Sequence, residues 1–528
     1  MHGKTDPHRS STKPAWPPGF ASEHPYNTLV GSFFVENFGC RATQADGAAI
    51  EQQLVQRGML RAGNPATADV VVLNTCTVTA AADHDARSAI RRIHRENPQA
   101  RILVTGCYAQ RAPQEIAAIP GVSLVVGNSH KHQLAEIALD GSGAFVPLTE
   151  LGTPAVPDGP PRSEIVVGDI FAHTELLAAP VFDADNEKTR PNLKVQDGCN
   201  NRCSFCIIPF VRGRSRSLPI GKIITSVDRL VANGYREIVL SGINLGRWGR
   251  DLGPIAAHFH SEAVVPSEAV IHSEPVIHPE TVSLRRSEAQ LKDLLFAGDR
   301  TVPRRARFPD LLRAILAHTD AERLRISSVE PMDWSDELIA LVAGEPRIAK
   351  HAHVPLQSGS DRILRLMHRR YRPWHYEDRI RRIRQTMPEA AIGADVMVGF
   401  PGESASDFEQ TRAMVERLPF TYLHVFTYSS RPGTPSAAMP NQVHGNVARE
   451  RNRILRELAA AKRLEFQRQF IGRRLPALTL TTQSRGRTEC LTDNYQKLWL
   501  EGLHPANTPV ELRVVGIEGE ALAGRIAD

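Results

Sequence analysis

The stretch VQDGCNNRCSFCIIP occupies residues 195–209 and carries three closely spaced cysteines. Cys199, Cys203 and Cys206 follow the spacing C-x3-C-x2-C in a polar loop that contains glycine and asparagine. Three thiolates on one loop can bind three irons of a [4Fe–4S] cube and leave the fourth iron open to another ligand. The spacing therefore predicts an iron–sulfur site with one open coordination position.

Three other arrangements of these cysteines are less well supported. Buried structural cysteines seldom crowd together with polar spacers between them. A zinc site needs a fourth ligand, for which His351 or His353 is available. A disulfide framework needs an oxidising compartment and usually an even number of cysteines, whereas this chain has 7. The iron–sulfur interpretation is favoured, and zinc stays open.

The composition indicates a soluble protein of several domains. The chain has 528 residues, of which 41% are hydrophobic and 23% charged. It lacks an apolar run of the ~20 residues that cross a bilayer, so we expect no membrane partner. Residues 1–27 are rich in proline, histidine and serine and predict a disordered tail. The many thiols predict a reducing, cytoplasmic location, and the net charge of +6 is compatible with a polyanionic partner.

A second set of cysteines follows strands in the region 28–142. Apolar stretches at 32–38, 70–74 and 101–105 predict strands, and helical patterns separate them. Alternating strands and helices favour a parallel sheet, whose carboxyl ends lie along one edge. Cys40, Cys76 and Cys107 each follow one of these strands. They are either unrelated small core residues or, as we favour, a second three-thiolate site.

These motifs together resemble a known family. The loop cysteines, with Phe205 before the last, resemble the radical S-adenosylmethionine (SAM) signature. FGCRATQ at 38–44, NTCTVT at 74–79 and VTGCYAQ at 104–110 resemble the N-terminal domain of the methylthiotransferases, and CIIPFVRG at 206–213 continues the match. The resemblance covers most of residues 29–253 and 307–528. The GCRxxQ form is similar to that of the members that modify N6-threonylcarbamoyladenosine in tRNA.

The resemblance implies a radical enzyme with two [4Fe–4S] clusters and SAM as cofactors. Cys199, Cys203 and Cys206 would hold the cluster that cleaves SAM. An auxiliary cluster, which carries the sulfur to be transferred, would be held by Cys40, Cys76 and Cys107. No catalytic side chain beyond these ligands is implied.

The implied reaction is methylthiolation of C2 of N6-threonylcarbamoyladenosine next to the anticodon. Its partners would be tRNA, an electron donor such as flavodoxin or ferredoxin, and a sulfur source. Paralogous alternatives act on N6-isopentenyladenosine in tRNA or on an aspartate of a ribosomal protein. An iron–sulfur RNA-binding protein without turnover is the non-enzyme alternative.

Repeated strand–helix units over 188–470 predict a full or partial parallel β/α barrel, with its functional residues at the carboxyl ends of the strands. The polar turns there contain glycine, which lets backbone approach a ligand closely. By the resemblance, eight residues in these turns line SAM. They are Ser241, Gly242, Asn244, Ser328, Glu330, Gln357, Asp395 and Glu403.

The remaining segments complete an α/β protein of three domains. Residues 143–187 predict a linker. Residues 254–306 depart from the family pattern, and their near-tandem period of six predicts a low-complexity insertion at the surface. Residues 471–528 alternate short strands with turns and resemble the TRAM domain, a small β-barrel. Cys490 lies there, outside both cysteine motifs.

Overall fold

The computed structural model describes residues 31–140, 163–174, 176–177, 189–253 and 305–527. The predicted tail at 1–27 lies outside the described residues. Nearly all of the predicted insertion and most of the predicted linker lie outside them as well.

The N-terminal domain contains a six-stranded parallel sheet in the order β2-β1-β3-β4-β5-β6. The strands are β1 (Ser32–Asn37), β2 (Leu60–Arg61), β3 (Val70–Thr75), β4 (Arg101–Gly106), β5 (Val122–Gly127) and β6 (Glu164–Val166). Strand β6 belongs to the segment predicted as a linker and pairs with β5.

Helices cover both faces of this sheet. They are α1 (Arg41–Gln56), α2 (Ala80–Glu96), α3 (Cys107–Arg111), α4 (Pro113–Ala117) and α5 (Leu134–Asp140). Successive strand residues point to opposite faces. Val71 and Leu73 therefore enter one apolar core, with Ile90 of α2, whereas Val72 enters the other, with Ile50 of α1. This explains why the central strand is apolar throughout.

The central domain is an arc of parallel strands. They are β7 (Asn192–Asp197), β9 (Glu237–Gly242), β10 (Arg323–Ile326), β11 (His351–His353), β12 (Ala391–Val398) and β13 (Tyr422–Thr427), with the short antiparallel β8 (Arg216–Ser217) beside β7. They form two sheets, β10-β9-β7-β8 and β11-β12-β13. Parallel bridges from Leu324 to Ile348 and from Ser328 to His353 join the sheets. The arc is the partial barrel that the sequence predicted.

The outer layer of the arc is helical. Its helices are α6 (Ile208–Arg212), α7 (Ile220–Ala232), α8 (Phe308–His318), α9 (Asp336–Gly344), α10 (Asp361–Leu366), α11 (Pro373–Thr386), α12 (Ala405–Arg417) and α13 (Gly445–Arg468). Helix α12 begins with a capping box, in which Ser404 and Asp407 accept each other's backbone N–H groups. Alternate residues of the strands, such as Val396 and Val398, pack under these helices.

The C-terminal domain is a closed five-stranded barrel in the order β14-β15-β16-β18-β17. Its strands are β14 (Arg474–Ser484), β15 (Arg487–Thr492), β16 (Lys497–Glu501), β17 (Pro509–Glu518) and β18 (Ala521–Ile526). Cys490 is fully buried in its core. Arg325 of β10 pairs with Glu237 and donates to the carbonyls of Thr492 and Asp493, which fixes this domain to the arc.

The three-part α/β architecture predicted from the sequence is confirmed. None of the helices in the described ranges is long and apolar enough to cross a membrane.

Candidate metal centres and cofactor site

Three cysteines lie at the carboxyl ends of neighbouring strands of the N-terminal sheet. Cys40 is the N-cap of α1, Cys76 follows β3, and Cys107 is the first residue of α3. We call them the strand-end triad. Gly39 has a φ of 111°, and a Cβ there would lie 2.5 Å from the Cβ of Cys76. Glycine is needed at this position because Cys76 approaches the backbone so closely.

The three thiols of the strand-end triad lie in one another's electric field. Burial, together with the nearby thiols of Cys107 and Cys40, raises the pKa of Cys76 to about 12. Asn128 Nδ2 donates to Cys107 Sγ at 3.6 Å, and Cys40 Sγ lies 3.7 Å from Thr43 Oγ1. The predicted convergence of these cysteines is therefore present in the fold.

Cys199, Cys203 and Cys206 form the loop triad directly after β7. Gly198 has a φ of 69°, and a Cβ there would collide with the carbonyl of Arg214. Cys199 Sγ accepts hydrogen bonds from Asn201 N at 3.4 Å and from Asn244 Nδ2 at 3.5 Å. Burial raises the pKa of Cys206 to about 12, with added repulsion from Cys203 and Cys199.

Arg369 connects the loop triad to an acidic side chain. Its guanidinium donates to Cys203 Sγ at 3.4 Å and pairs with Glu330. The side chain is buried and stacks on Tyr371. Arg369 supplies a positive charge next to a thiolate, and it fixes the position of Glu330 relative to the cysteines. The sequence offered no signal for this role, because Arg369 is one of many arginines in its segment.

Neither triad has the compact spacing of a single-ion site. Among the described residues, only His353, Asp395 and His424 bring three potential ligand atoms within 4.8 Å of one another. Thiolates around one zinc ion lie roughly 3.8 Å apart, given Zn–S bonds of about 2.3 Å in a tetrahedron. Neither triad has all three of its sulfurs within 4.8 Å of one another, which disfavours a single zinc ion at either triad.

The segment that follows the loop triad contacts the strand-end triad across the junction of their domains. Cys107 packs in one apolar cluster with Ile207, which directly follows Cys206, and with Val211 of α6. Asn128 Nδ2, which contacts the Cys107 sulfur, also donates to the carbonyl of Val211 at 2.7 Å. The segment that carries the loop triad is therefore in contact with the strand-end triad.

A buried ionic network also joins the two domains at this junction. Asp46 of α1 pairs with Lys131, Lys194 and Arg212, and Arg212 pairs in turn with Asp197 at 3.0 Å. All five side chains are buried. Burial alone would raise the pKa of Asp46, but the three cations outweigh it and hold the pKa at about 2. The network crosses from one domain to the other and also places the charge of Arg212 near Cys107 and Cys40.

A second interdomain contact lies beside Cys76. Asp83 of α2 accepts from Thr77 Oγ1 at 2.6 Å and from Arg431 of the central domain at 2.6 Å, and it also pairs with Arg111. Thr77 directly follows Cys76 in the chain. Each side of the strand-end triad is thus fixed by a buried charge pair that spans the junction.

Several predicted SAM-lining residues lie beside the loop triad. Asn244 contacts Cys199, and Glu330 is joined to Cys203 through Arg369. Among the described residues, three buried polar atoms near these turns have no hydrogen-bond partner: Ser241 Oγ, Asn244 Oδ1 and Gln357 Oε1. Unpaired buried polar atoms are costly, so they fit a site that binds a polar ligand.

The other predicted SAM-lining residues have varied surroundings. Gly242 packs closely on Gln196, and Ser328 forms a parallel β-bridge with His353. Asp395 lies between His353 and His424. Glu403 is buried, accepts from Gly399 N at 2.7 Å and pairs with Arg451. Their contact with SAM stays a prediction, as does that of the residues nearer the cysteines.

Comparison with known proteins agrees with this arrangement. Residues 32–127 match the Uncharacterized protein family UPF0004, and residues 193–415 match the Radical SAM superfamily. The chain is 34% identical to threonylcarbamoyladenosine tRNA methylthiotransferase MtaB of Aquifex aeolicus, over 88% of this chain and 96% of that protein. The chain belongs to the radical SAM methylthiotransferases.

Two further proteins are similar to this methylthiotransferase. It is 30% identical to a tRNA-2-methylthio-N(6)-dimethylallyladenosine synthase of Saccharopolyspora erythraea, over 87% of this chain and 81% of that protein. The radical SAM methyltransferase TsrM of Kitasatospora setae superimposes with a TM-score of 0.47 at 15% identity, over 86% of this chain and 79% of that one.

The cofactors of radical SAM methylthiotransferases are SAM and [4Fe–4S] clusters. The two cysteine triads have the donor type for the clusters. Ser241, Asn244 and Gln357 carry unpaired buried polar atoms, and their contact with SAM stays a prediction.

Proposed function

We propose that this protein methylthiolates C2 of N6-threonylcarbamoyladenosine in tRNA. The observation that carries the proposal is the meeting of two separate three-cysteine sites at one domain junction, where Cys107 packs on the segment that follows Cys206. The substrate is assigned from the 34% identity to an enzyme named for that nucleoside, over 96% of its length.

The chemistry explains why two such sites are needed. An aromatic C2–H bond is neither acidic nor electrophilic, so acid–base or nucleophilic side chains cannot functionalise it. When bound, the clusters and SAM supply the electron, the radical, the sulfur and the methyl group that the reaction requires. The protein contributes position and exclusion of water.

The chain's own residues divide these tasks. The loop triad holds one cluster, and Arg369 with Glu330 orients the groups beside it. The strand-end triad holds the other, and the buried network around Asp46 fixes its domain against the arc. Asn244 and Gln357 are the polar groups that we assign to SAM.

The substrate base lies next to the anticodon, in a single-stranded loop where a base can be splayed out at low cost. A flavodoxin or ferredoxin is our proposed electron donor, and a separate sulfur source must resupply the auxiliary site. Both requirements are consistent with a cytoplasmic enzyme.

The dimethylallyl nucleoside is less favoured as substrate. The relative named for it is 30% identical to this chain, and the match spans 81% of that relative, against 96% of the relative named for the threonylcarbamoyl nucleoside. A ribosomal-protein substrate and an iron–sulfur protein without turnover are also not favoured.

Mass spectrometry of tRNA nucleosides tests the proposal. A strain lacking the gene should lose 2-methylthio-N6-threonylcarbamoyladenosine, and the wild-type gene should restore it. Cys76→Ala should not restore it, whereas the matched control Cys490→Ala should, because Cys490 lies in the core of the C-terminal barrel. Persistence of the methylthio nucleoside in the deletion strain would refute the substrate assignment.

A further inference from the structure

Three neighbouring strands of the arc place polar side chains on one inner wall. His353 of β11, Asp395 of β12 and His424 of β13 face the same side, since Asp395 is in register with His424 and His353 is in register with Gly393. His353 Nε2 and His424 Nδ1 lie 3.3 and 3.2 Å from the same oxygen, Asp395 Oδ1. We call these three residues the inner wall.

The inner wall faces the interior of the arc. Ala394 and Val396, the neighbours of Asp395 in β12, point the other way into the core under the helices. The ring of Tyr422 lies over Gly393 and stacks on His353 at 5.9 Å. The polar side of these three strands is therefore the inner side, opposite the helical layer.

The inner wall lies directly below the loop triad. Met397, two residues beyond Asp395 on the same face of β12, packs in one apolar cluster with Phe205 of the loop. Two strand residues span roughly 7 Å. Ser328, which is bridged to His353, lies two residues before Glu330, and Glu330 is joined to Cys203 through Arg369. Two separate segments of the arc therefore connect the loop triad to the inner wall over a short distance.

The strand-end triad approaches the same wall from the other domain. Arg41 directly follows Cys40 in the chain. His351 lies two residues before His353 on β11. Burial lowers the pKa of His351, and the nearby groups Arg325, His353 and Arg41 also lower it. The charge of Arg41 also lowers the pKa of Tyr422, which burial raises overall. Arg41, the neighbour of Cys40, therefore lies near the residues that pack beside the wall.

The inner wall is open to solvent on one side. The exposed fraction of the side chain rises from 11% at His353 to 25% at Asp395 and 62% at His424. A substituent entering from solvent would meet His424 first and Asp395 next. The wall offers imidazole nitrogens that donate or accept hydrogen bonds and a carboxylate that accepts them.

The two candidate nucleosides differ in what they present to such a wall. A threonylcarbamoyl arm carries N–H donors, one carbonyl oxygen, a hydroxyl and a carboxylate, whereas a dimethylallyl arm is hydrocarbon. Covering these imidazoles and this carboxylate with hydrocarbon would remove them from water without replacement hydrogen bonds. A site built to hydrogen-bond a substituent rejects an analogue that lacks the polar groups.

We infer that His353, Asp395 and His424 form the subsite that binds the polar N6 substituent of the substrate adenosine and discriminates against an apolar one. This inference rests on the proposed function, and it assigns Asp395 to the substrate arm in place of the contact with SAM that the resemblance implied. The base then lies between the two triads while its N6 arm extends along the wall towards His424.

Binding of anticodon stem–loop RNAs to the full, cluster-loaded protein tests the inference. Three RNAs are compared, with N6-threonylcarbamoyladenosine, N6-dimethylallyladenosine or unmodified adenosine at the same position. Wild-type protein should bind the threonylcarbamoyl RNA most tightly. The preference of His424→Leu for the threonylcarbamoyl RNA over the dimethylallyl RNA should be roughly 10- to 100-fold smaller than that of the wild type, the loss expected when a polar group covered in the complex has no hydrogen-bond partner. His424→Asn, which keeps an amide donor, should retain part of the preference.

The matched control is His375→Leu, because His375 is an exposed histidine on the outer helix α11. It should bind all three RNAs as the wild type does. Iron content and the unfolding temperature of each variant report whether the fold is intact. An unchanged preference in a well-folded His424→Leu protein would overturn the inference.

One further measurement separates a cation site from a substrate subsite, since His353, Asp395 and His424 have metal-ligand donor types. If cluster-loaded wild-type protein binds one additional Zn²⁺ or Co²⁺ that His424→Leu does not bind, the wall is a metal site and the inference is wrong. Formation of methylthio product on the threonylcarbamoyl RNA by wild-type protein is scored separately. Its absence would refute the proposed function, whereas the binding ratios decide the subsite.

Discussion

The two cysteine triads reach the same kind of site by opposite routes. The loop triad lies within eight consecutive residues, and its geometry is set by a single turn at Gly198. The strand-end triad is collected from Cys40, Cys76 and Cys107, which are far apart in the chain and are brought together by three parallel strands. One site depends on local backbone, and the other depends on the whole N-terminal sheet.

The surroundings of the triads differ in the same way. The loop triad has a nearby cation from its own domain, Arg369. The strand-end triad has Lys131 of its own domain near Cys107, but it also has a cation from the other domain, Arg212, held by Asp46 and Asp197. The strand-end triad is assembled from distant segments at a domain surface, and the central domain completes its surroundings. The contrast teaches that this junction is part of the strand-end site, and four changes can test it.

The largest expected effect separates the chemical roles of the triads. Cys203→Ala should abolish both SAM cleavage and methylthio product, whereas Cys76→Ala should abolish product but keep SAM cleavage, because only the loop triad is assigned to the SAM-cleaving cluster. Iron should fall from about eight to about four per chain in each variant, as two cubes require. Anaerobic iron analysis and assays of 5′-deoxyadenosine check this. Loss of SAM cleavage in Cys76→Ala would contradict the division of roles.

The next effect concerns the junction. Arg212→Met should lower the stability of the folded chain by about 3–5 kcal/mol, because Asp46 and Asp197 would stay buried while losing a paired charge. Thermal unfolding followed by circular dichroism checks this. Arg382→Met is the control, since Arg382 forms its ion pairs on an exposed surface of α11. Equal midpoints for the two variants would show that the network does not hold the domains together.

The cation of the loop triad should act on turnover more than on folding. Arg369→Met removes the donor to Cys203 and the partner of Glu330. We expect SAM cleavage to fall on the order of 10- to 100-fold, the usual cost of losing a group that orients a metal ligand. Arg365→Met is the control, because Arg365 is mostly exposed and pairs with Asp361. Turnover that matches the control would remove Arg369 from its proposed positioning role.

The smallest effect is a pH dependence at the junction. The pKa of Asp46 is about 2 in the folded chain, against an ordinary value of 3.8. A lowered pKa means that the carboxylate contributes its stability fully above about pH 4 and loses it as the pH falls towards 2. The unfolding temperatures of wild type and Asp46→Asn should therefore converge in this acidic range. A difference that stays constant down to pH 2 would contradict this assignment.

Much of the fold could be predicted because its signals are local. The apolar run at 70–73 predicted a buried strand, and the alternation of strands with helices predicted the parallel sheet and the partial barrel. In the C-terminal domain the sequence predicted strands at 475–481, 496–500 and 510–515 but not β15 or β18, because the register of these two comes from closure of the barrel. The strand β6 lies in a segment that reads as a linker, and only its pairing with β5 makes it part of the sheet.

The amino-acid sequence by itself determined both cysteine triads, since the spacing of one and the strand-end positions of the other are written in the order of residues. Only the tertiary structure decided which side chains serve them. Arg369 and His424 carry no local signal, and the motif at 206–213 that contains Arg212 does not indicate its role, because the partners of all three lie on other segments of the chain. Charge and hydrogen-bond complementarity act through space, and the fold alone sets which groups are close enough to feel them.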